Sequence, residues 1–285
     1  MRKGLMPFIV LTFLASCTTE GVKKDPEKEK EVEKLVNSEK QDDQTNLLDE
    51  TGEPLDFKEL DGGITIKWFK HGEGDKIGYG DMLAVDYKVE LNNGEVIDGN
   101  HLLRKESVPF MVGFNMQTKG WDIALKEMKV GDHAEIFIPS KLARGEKEVK
   151  GLFPPNSDNV LKIRVLNKMK PDRERDGNKV WLFEENPANK LKFGETNEIE
   201  FHTMGFTPSN PVFVNTFMTN QPFSMKLEDQ GVVPGLKKAL INAKRADRMW
   251  VYVSSAEAYG SKGYQDLVKP NEDVLYNVLV VDVHK

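Results

Sequence analysis

The stretch Gly120–Gly145 is written a second time at Gly235–Gly260, and no other feature restricts the fold of this chain so tightly. Gly120-Trp121-Asp122-Ile123-Ala124-Leu125 lies over Gly235-Leu236-Lys237-Lys238-Ala239-Leu240 at a constant offset (235 − 120 = 115). The same offset carries Gly131-Asp132 onto Ala246-Asp247, Ile136-Phe137-Ile138 onto Val251-Tyr252-Val253, Ala143-Arg144-Gly145 onto Ala258-Tyr259-Gly260 and Pro155-Asn156 onto Pro270-Asn271. A register held so long without a gap marks an internal repeat. Its period is domain-sized, well beyond the ~20–50 residues of solenoid repeats, so it predicts a duplicated domain.

Ahead of the repeat, Arg2-Lys3 precede an apolar run from Leu5 to Ala15. That run is short of the ~20 residues a spanning helix needs and suits a secretory signal peptide, residues 1–16. Leu14-Ala15-Ser16-Cys17 resembles the lipobox of bacterial lipoproteins, which implies lipidation at Cys17 and attachment to the membrane through an N-terminal lipid anchor. Stable attachment takes more than one acyl chain, because a single chain binds only marginally. Cys17 is also the only cysteine, which excludes an intramolecular disulfide and a cysteine-based metal site. Residues 17–55 are rich in Lys, Glu, Asp and Gln and too poor in apolar side chains to offset ordering entropy. They are expected to be a charged, disordered linker.

The rest is long enough for two ordinary domains. A net charge of -6 provides no basic excess for nucleic acid, so none is expected as a partner. His71, His101, His133, His202 and His284 show no metal-ligand spacing. Gly72-Glu73-Gly74 lacks the third glycine of a dinucleotide loop, and Ser261 lacks a nucleophile-elbow context. No cofactor and no metal are expected, and the oligomeric state stays open.

Val85, Tyr87, Val89 and Leu91 alternate with Asp86, Lys88 and Glu90, the period-two pattern of a half-buried strand. Asn92-Asn93-Gly94 reads as a hairpin turn and Val96-Ile97-Asp98 as the return strand. Pro109–Val112 is another short strand, and Trp121, Ala124, Leu125 and Met128 fall at helical spacing up to Gly131. Ala134, Ile136 and Ile138, then Val160–Val165, resume alternation. Strands, one helix and strands again, without βαβ rhythm, predict an antiparallel α+β fold. Met249–Val253 is apolar on both faces, so its second face is expected to lie under the other domain or a loop, the alternative being an exposed client-binding patch.

Asp86-Tyr87, Asn93-Gly94-Glu95-Val96-Ile97-Asp98, Gly120-Trp121, Met128-Lys129-Val130-Gly131-Asp132, Ile138-Pro139 and Gly151-Leu152-Phe153-Pro154-Pro155-Asn156 resemble, in order and spacing, the pattern of the FKBP-type peptidyl-prolyl cis/trans isomerases. In the second copy Pro222-Phe223, Gly231-Val232-Val233-Pro234-Gly235-Leu236, Ala256-Glu257-Ala258-Tyr259-Gly260 and Pro270-Asn271 are similar to pieces of it. The resemblance implies two tandem FKBP-like domains, residues 56–170 and a divergent 171–285. Each would be an antiparallel half-barrel sheet wrapped over one short helix, with an apolar pocket between. It also implies isomerisation of X–Pro bonds in proline-containing polypeptide clients, here envelope proteins as they fold. The alternative is a non-catalytic chaperone or assembly lipoprotein on the same fold.

Carried across, the resemblance puts Trp121 at the pocket floor, Tyr87 and Asp98 as a hydroxyl–carboxylate pair at the rim, and Phe153 in the loop wall. Leu161 replaces an aromatic on the last strand and Ile97 a wall phenylalanine. Arg144 stands where the family has a tyrosine, and Gln117-Thr118 where it has an apolar pair, so this pocket is the more polar. The second copy keeps Phe223, Val232, Val233, Tyr259, Tyr264, Val268 and Tyr276, with Leu236 in the tryptophan position. Alternation puts Phe201 at the Tyr87 position (201 − 87 = 114) and Val214 or Phe213 near that of Asp98, so hydroxyl and carboxylate are expected to be lost together. The second pocket ranks as the better peptide binder. Which of the two isomerises is open.

Overall fold

The structure, a computed structural model, describes residues 48, 52–149, 153–194 and 198–284. The expected signal peptide, Cys17 and most of the charged linker lie outside the described residues, as does Gly151-Leu152 of the family pattern. The chain divides into two compact units, one of the residues up to Val112 with Gln117–Met169, the other of Gly113–Met116 with Lys170–Lys285.

In the first unit the elements are β1 (Asp56–Leu60), β2 (Ile64–Lys70), β3 (Met82–Leu91), β4 (Val96–Gly99), β5 (Val108–Met111), α1 (Lys119–Leu125), β6 (His133–Ile138) and β7 (Asn159–Lys168). They form one antiparallel sheet in the order β1-β2-β6-β7-β3-β4, with β5 also on β3. Helix α1 packs on β2 and β6. Its close approach requires Gly120, since a Cβ there would stand 2.4 Å from Ile138 Cγ2. The helix stops short of the expected Met128 because its end tightens: Glu127 and Met128 donate to Ala124 and Leu125, three residues back. In the β3–β4 turn only Gly94 of the expected trio takes positive φ (83°).

The alternation of β3 sorts its side chains as read, yet both faces are buried. Tyr87 and Val89 join the core, while Asp86 and Lys88 are neutralised on the opposite side. Asp86 pairs with Arg164, and Glu90 with Lys88 (3.0 Å) and Lys162 (3.1 Å). Pairing of this kind, along β3 and across to β7, is what lets charged residues lie within a sheet under cover.

The second unit repeats the plan with β8 (Arg173–Arg175), β9 (Asn178–Glu184), β10 (Glu198–Phe206), β11 (Val214–Asn215), β12 (Phe223–Lys226), α2 (Pro234–Leu240), β13 (Arg248–Val253) and β14 (Val274–His284). Its sheet runs β11-β10-β14-β13-β9-β8 with β12 on β10, the first sheet's order element for element. Even the irregularity is copied: register shifts between Ala84 and Val85 on β3, and between Glu200 and Phe201 on β10. Gly235 matches Gly120, its absent Cβ leaving room for Val253 Cγ1 at 2.4 Å. Leu236, Leu240, Val251, Val278 and Phe193 centre the core. Of the doubly apolar strand β13, Trp250 packs on Phe206 at 5.7 Å between ring centroids.

Candidate functional site

In the first copy Trp121 rises from the first turn of α1 and is only 3% exposed. Tyr87 on β3 meets it edge-on at 5.0 Å and 79°, and Phe110 on β5 stacks on it at 5.3 Å and 30°. Sequence reasoning missed Phe110. Its signal was alternation about Pro109, and a four-residue strand is too short to make that decisive. Ile97 on β4, Leu161 on β7 and Phe153 on the loop before β7 are buried in the same unit.

The polar members sit against these rings. Burial, and next the charge of Asp98, hold the Tyr87 hydroxyl's pKa well above that of a free tyrosine. The phenol and the carboxylate interact, but the buried hydroxyl has no hydrogen bond of normal geometry. Burial also raises Asp98, opposed by the Gly99 N–H that donates to its Oδ1 at 2.8 Å, then by Tyr87, then by Arg144. Arg144 lies over Phe153, its Cζ 5.1 Å from the ring centroid. Burial lowers the guanidinium's pKa and Asp98 draws it back up. The result is a dry aromatic surface bordered by one carboxylate and one cation.

Sheet register aligns the second site with the first. Tyr87 pairs with Ile163, and Val89 with Leu161 and Asp98. Thr203 pairs with Val278, and Gly205 with Tyr276 and Val214. Thr203, not Phe201, therefore stands at the Tyr87 position (203 − 87 = 116), and Val214, not Phe213, at that of Asp98 (214 − 98 = 116). A hydrogen bond repeats the match: Tyr87 N–H donates to Asn100 Oδ1 at 2.7 Å and Thr203 N–H to Thr216 Oγ1 at 2.8 Å. Phe201 instead occupies the place of Val85, next to the shared bulge. The hydroxyl is thus kept in shortened form and only the carboxylate is lost. Like Tyr87, Thr203 is fully buried with its hydroxyl unpartnered.

Under this alignment the floor changes from Phe110 and Trp121 to Met225 and Leu236, both buried. The rings of the second copy gather elsewhere. Phe213 meets Tyr276 at 5.9 Å and Tyr259 at 6.5 Å, both edge-on, and Tyr259 stacks on Tyr264 at 5.0 Å. The hydroxyls of Tyr259 and Tyr276 influence each other, and burial raises both pKa values, that of Tyr276 far more. Tyr264 is 43% exposed and bridges to the buried Val268. Phe223, 46% exposed, joins Phe201 at 6.1 Å rather than the tyrosines. Val232 and Val233 are half-buried just before α2.

Comparison with known proteins adds a family. The chain matches the FKBP-type peptidyl-prolyl cis-trans isomerase family twice, over residues 74–166 and 190–281. It is 24% identical over 205 residues to peptidyl-prolyl cis-trans isomerase FKBP10 of Homo sapiens, covering 72% of this chain and 34% of that protein. It is 32% identical over 110 residues to peptidyl-prolyl cis-trans isomerase Mip of Coxiella burnetii, 39% of this chain and 46% of Mip. It is 30% identical over 108 residues to FK506-binding protein 1 of Saccharomyces cerevisiae, 38% of this chain and 94% of the yeast protein. The chain thus spans about a third of the human relative's length and nearly all of the yeast one's.

Proposed function

Because the chain belongs to the FKBP-type peptidyl-prolyl cis-trans isomerase family, we propose that it accelerates rotation about X–Pro bonds, and that its first copy is where it does so. The observation that carries this reading is the Trp121 indole with Tyr87 and Phe110 each within 5.3 Å of it.

Rotation about an amide faces a barrier of ~18–20 kcal/mol because resonance makes the C–N bond partly double, and uncatalysed X–Pro exchange takes on the order of tens to hundreds of seconds. Breaking that resonance requires no nucleophile and no metal. An amide moved from water onto dry rings loses solvation of its charge-separated form. A surface that fits the twisted bond better than either planar isomer lowers the barrier further. A flat indole suits the face of a proline ring, and Tyr87 and Phe110 hold that indole in place. A gain of ~4 kcal/mol would accelerate exchange about a thousandfold.

The clients are taken to be proline-containing segments of envelope proteins as they fold. Lipidation at Cys17, which the lipobox-like motif supports, would hold both copies beside the membrane. A second reading applies to the second copy alone: the exposed Phe223 and Tyr264 favour a surface that holds client segments without turning them over.

The test is isomerisation of a short Xaa-Pro peptide by the full chain and by Trp121→Ala and Tyr259→Ala. Acceleration that Trp121→Ala abolishes and Tyr259→Ala leaves in place is the expected result. A parent no faster than buffer, yet able to slow aggregation of an unfolded client, would make this a binding protein.

A further inference from the structure

We infer that Phe114 positions the floor of the first site from a seat in the second unit, so that the second copy sets part of the rate at the first. The inference goes beyond the isomerase reading and rests on it.

Gly113-Phe114-Asn115-Met116 lies in sequence between β5 and α1 of the first copy, yet these four residues belong to the body of the second unit. Phe114 and Met116 are buried, Phe114 completely. The Phe114 ring meets Tyr252 on β13 edge-on, 5.8 Å between centroids and at 80°. Val251 and Val253 turn into the core of the second unit, so Tyr252 between them stands on the other face of its strand. The Tyr252 hydroxyl is fixed in turn, donating to Asp273 Oδ2 at 2.6 Å. The loop backbone is bent around Phe114: the residues on either side of it take positive φ, 95° at Gly113 and 51° at Asn115. Glycine adopts that region freely, whereas asparagine is strained there and keeps the conformation where its surroundings hold it.

The second copy writes the same loop differently. Its residues are Glu228-Asp229-Gln230-Gly231 (228 − 113 = 115), three of them exposed and one half-buried. No apolar side chain stands there. The shared scaffold therefore does not demand Phe114, and its seat in the second unit is a property of the first copy's loop alone.

The loop joins the two halves of the floor. Phe110 precedes it on β5, Trp121 follows it on α1, and these rings stack at 5.3 Å. At the near end Val112 N–H donates to the Asp81 carbonyl and the Val112 carbonyl accepts from Gly80 N–H, both at 3.0 Å. At the far end Thr118 opens α1. So short a connection has little slack, and a shift of Phe114 passes to the start of the helix and to Trp121. A surface fitted to a twisted amide feels displacements of about 1 Å, even when their cause lies far from the reacting bond.

The experiment measures turnover of an X–Pro peptide and amide hydrogen exchange on the full chain. It compares the parent with Phe114→Ala, Phe114→Leu, Tyr252→Leu and the double variant of Phe114→Ala and Tyr252→Leu. Phe114→Ala should lower kcat/KM about tenfold, mostly through kcat, because the floor is displaced and not removed. Phe114→Leu, which keeps apolar bulk in the same seat, should recover most of that loss. Tyr252→Leu, made in the second copy, should lower turnover at the first site roughly threefold, and the double variant should fall no further than Phe114→Ala alone. Amides of α1 should exchange faster in Phe114→Ala and in Tyr252→Leu alike. A Tyr252→Leu that leaves turnover and α1 exchange at parent values overturns the inference, as do losses that multiply in the double variant. Undiminished turnover in Phe114→Ala also overturns it, and decides the matter if Tyr252→Leu fails to fold. If the parent turns over no peptide, the isomerase reading falls and α1 exchange alone decides whether Phe114 holds the floor.

Discussion

The first copy concentrates its aromatic rings at the buried end of its site, where Tyr87, Phe110 and Trp121 meet, and borders them with Asp98 and Arg144. The second has Thr203, Met225 and Leu236 at the same register and gathers its rings elsewhere, from the buried Tyr276 through the half-buried Phe213 and Tyr259 out to the exposed Tyr264. Sheet order, bulge, helix glycine and loop backbone are common to both. What separates the copies is thus a handful of side chains on one scaffold. A stiff aromatic floor suits a reaction that needs a surface fitted to a distorted bond. Exposed rings with aliphatic backing suit adhesion, where apolar area counts and geometry counts less.

Exchanging residues between the copies should break that division most visibly. Trp121→Leu, which gives the first copy the second's floor, is expected to lower kcat/KM on X–Pro peptides about a hundredfold, ~2.7 kcal/mol of barrier. Circular dichroism should report a folded protein, and undiminished turnover would mean that the floor is not what divides the copies. Gly120→Ala and Gly235→Ala test the scaffold they share. Each new methyl would press on the branched side chain of Ile138 or Val253, so each should cost about 1–3 kcal/mol in urea unfolding despite alanine's better helix propensity. Strongly unequal costs would show that the two helices are not seated alike.

Alkaline pH should sharpen the contrast by a smaller amount. The second copy holds three tyrosines with raised pKa values, Tyr252, Tyr259 and Tyr276, and the first holds Tyr87. An unfolded tyrosine ionises near pH ~10 and these do so higher, so their contribution is present below ~10 and is lost as pH rises toward the folded values. Thermal melts from about pH 9 to 11 should fall less steeply for Tyr276→Phe than for the parent. An unchanged slope would remove Tyr276 as a cause. The smallest effect concerns the Thr203 hydroxyl. Thr203→Val should change stability by less than ~0.5 kcal/mol, because a buried hydroxyl without a partner gives nothing back on folding. A loss above ~1 kcal/mol would mean that this hydroxyl is bonded after all.

How far the site could be read in advance depended on what kind of signal each residue left. Trp121 follows a glycine inside a repeated helix, and Tyr87 and Asp98 lie in a hairpin whose turn is written in its residues, so their elements were fixed from both ends. Thr203 left no such mark. Alternation has a period of two, so an offset of 114 and one of 116 put the same faces inward, and nothing local decides between them. The decision lies in the loop after Thr216, one residue shorter than the loop after Asn100, since the offset falls back to 115 by Phe223 (223 − 108 = 115). Phe110 was hidden by brevity. Tyr276 and Tyr259 were placed by the constant offset, but their meeting on Phe213 depends on how far each side chain leans across the site, which no spacing encodes.

In each copy the strand that comes last in the sequence lies in the middle of the sheet, β7 between β6 and β3, β14 between β13 and β10. A nascent copy therefore has both flanks of its sheet, and the helix, before it has the piece that joins them. Until Asn159 or Val274 has emerged, the apolar faces of β3 and β6, or of β10 and β13, have no common neighbour. Closure is a long-range event that comes at the end, which makes such a domain slow to complete and exposes its half-built sheet in the meantime. Duplication doubles that interval of exposure while splitting it into two separate episodes, each ended by its own closing strand.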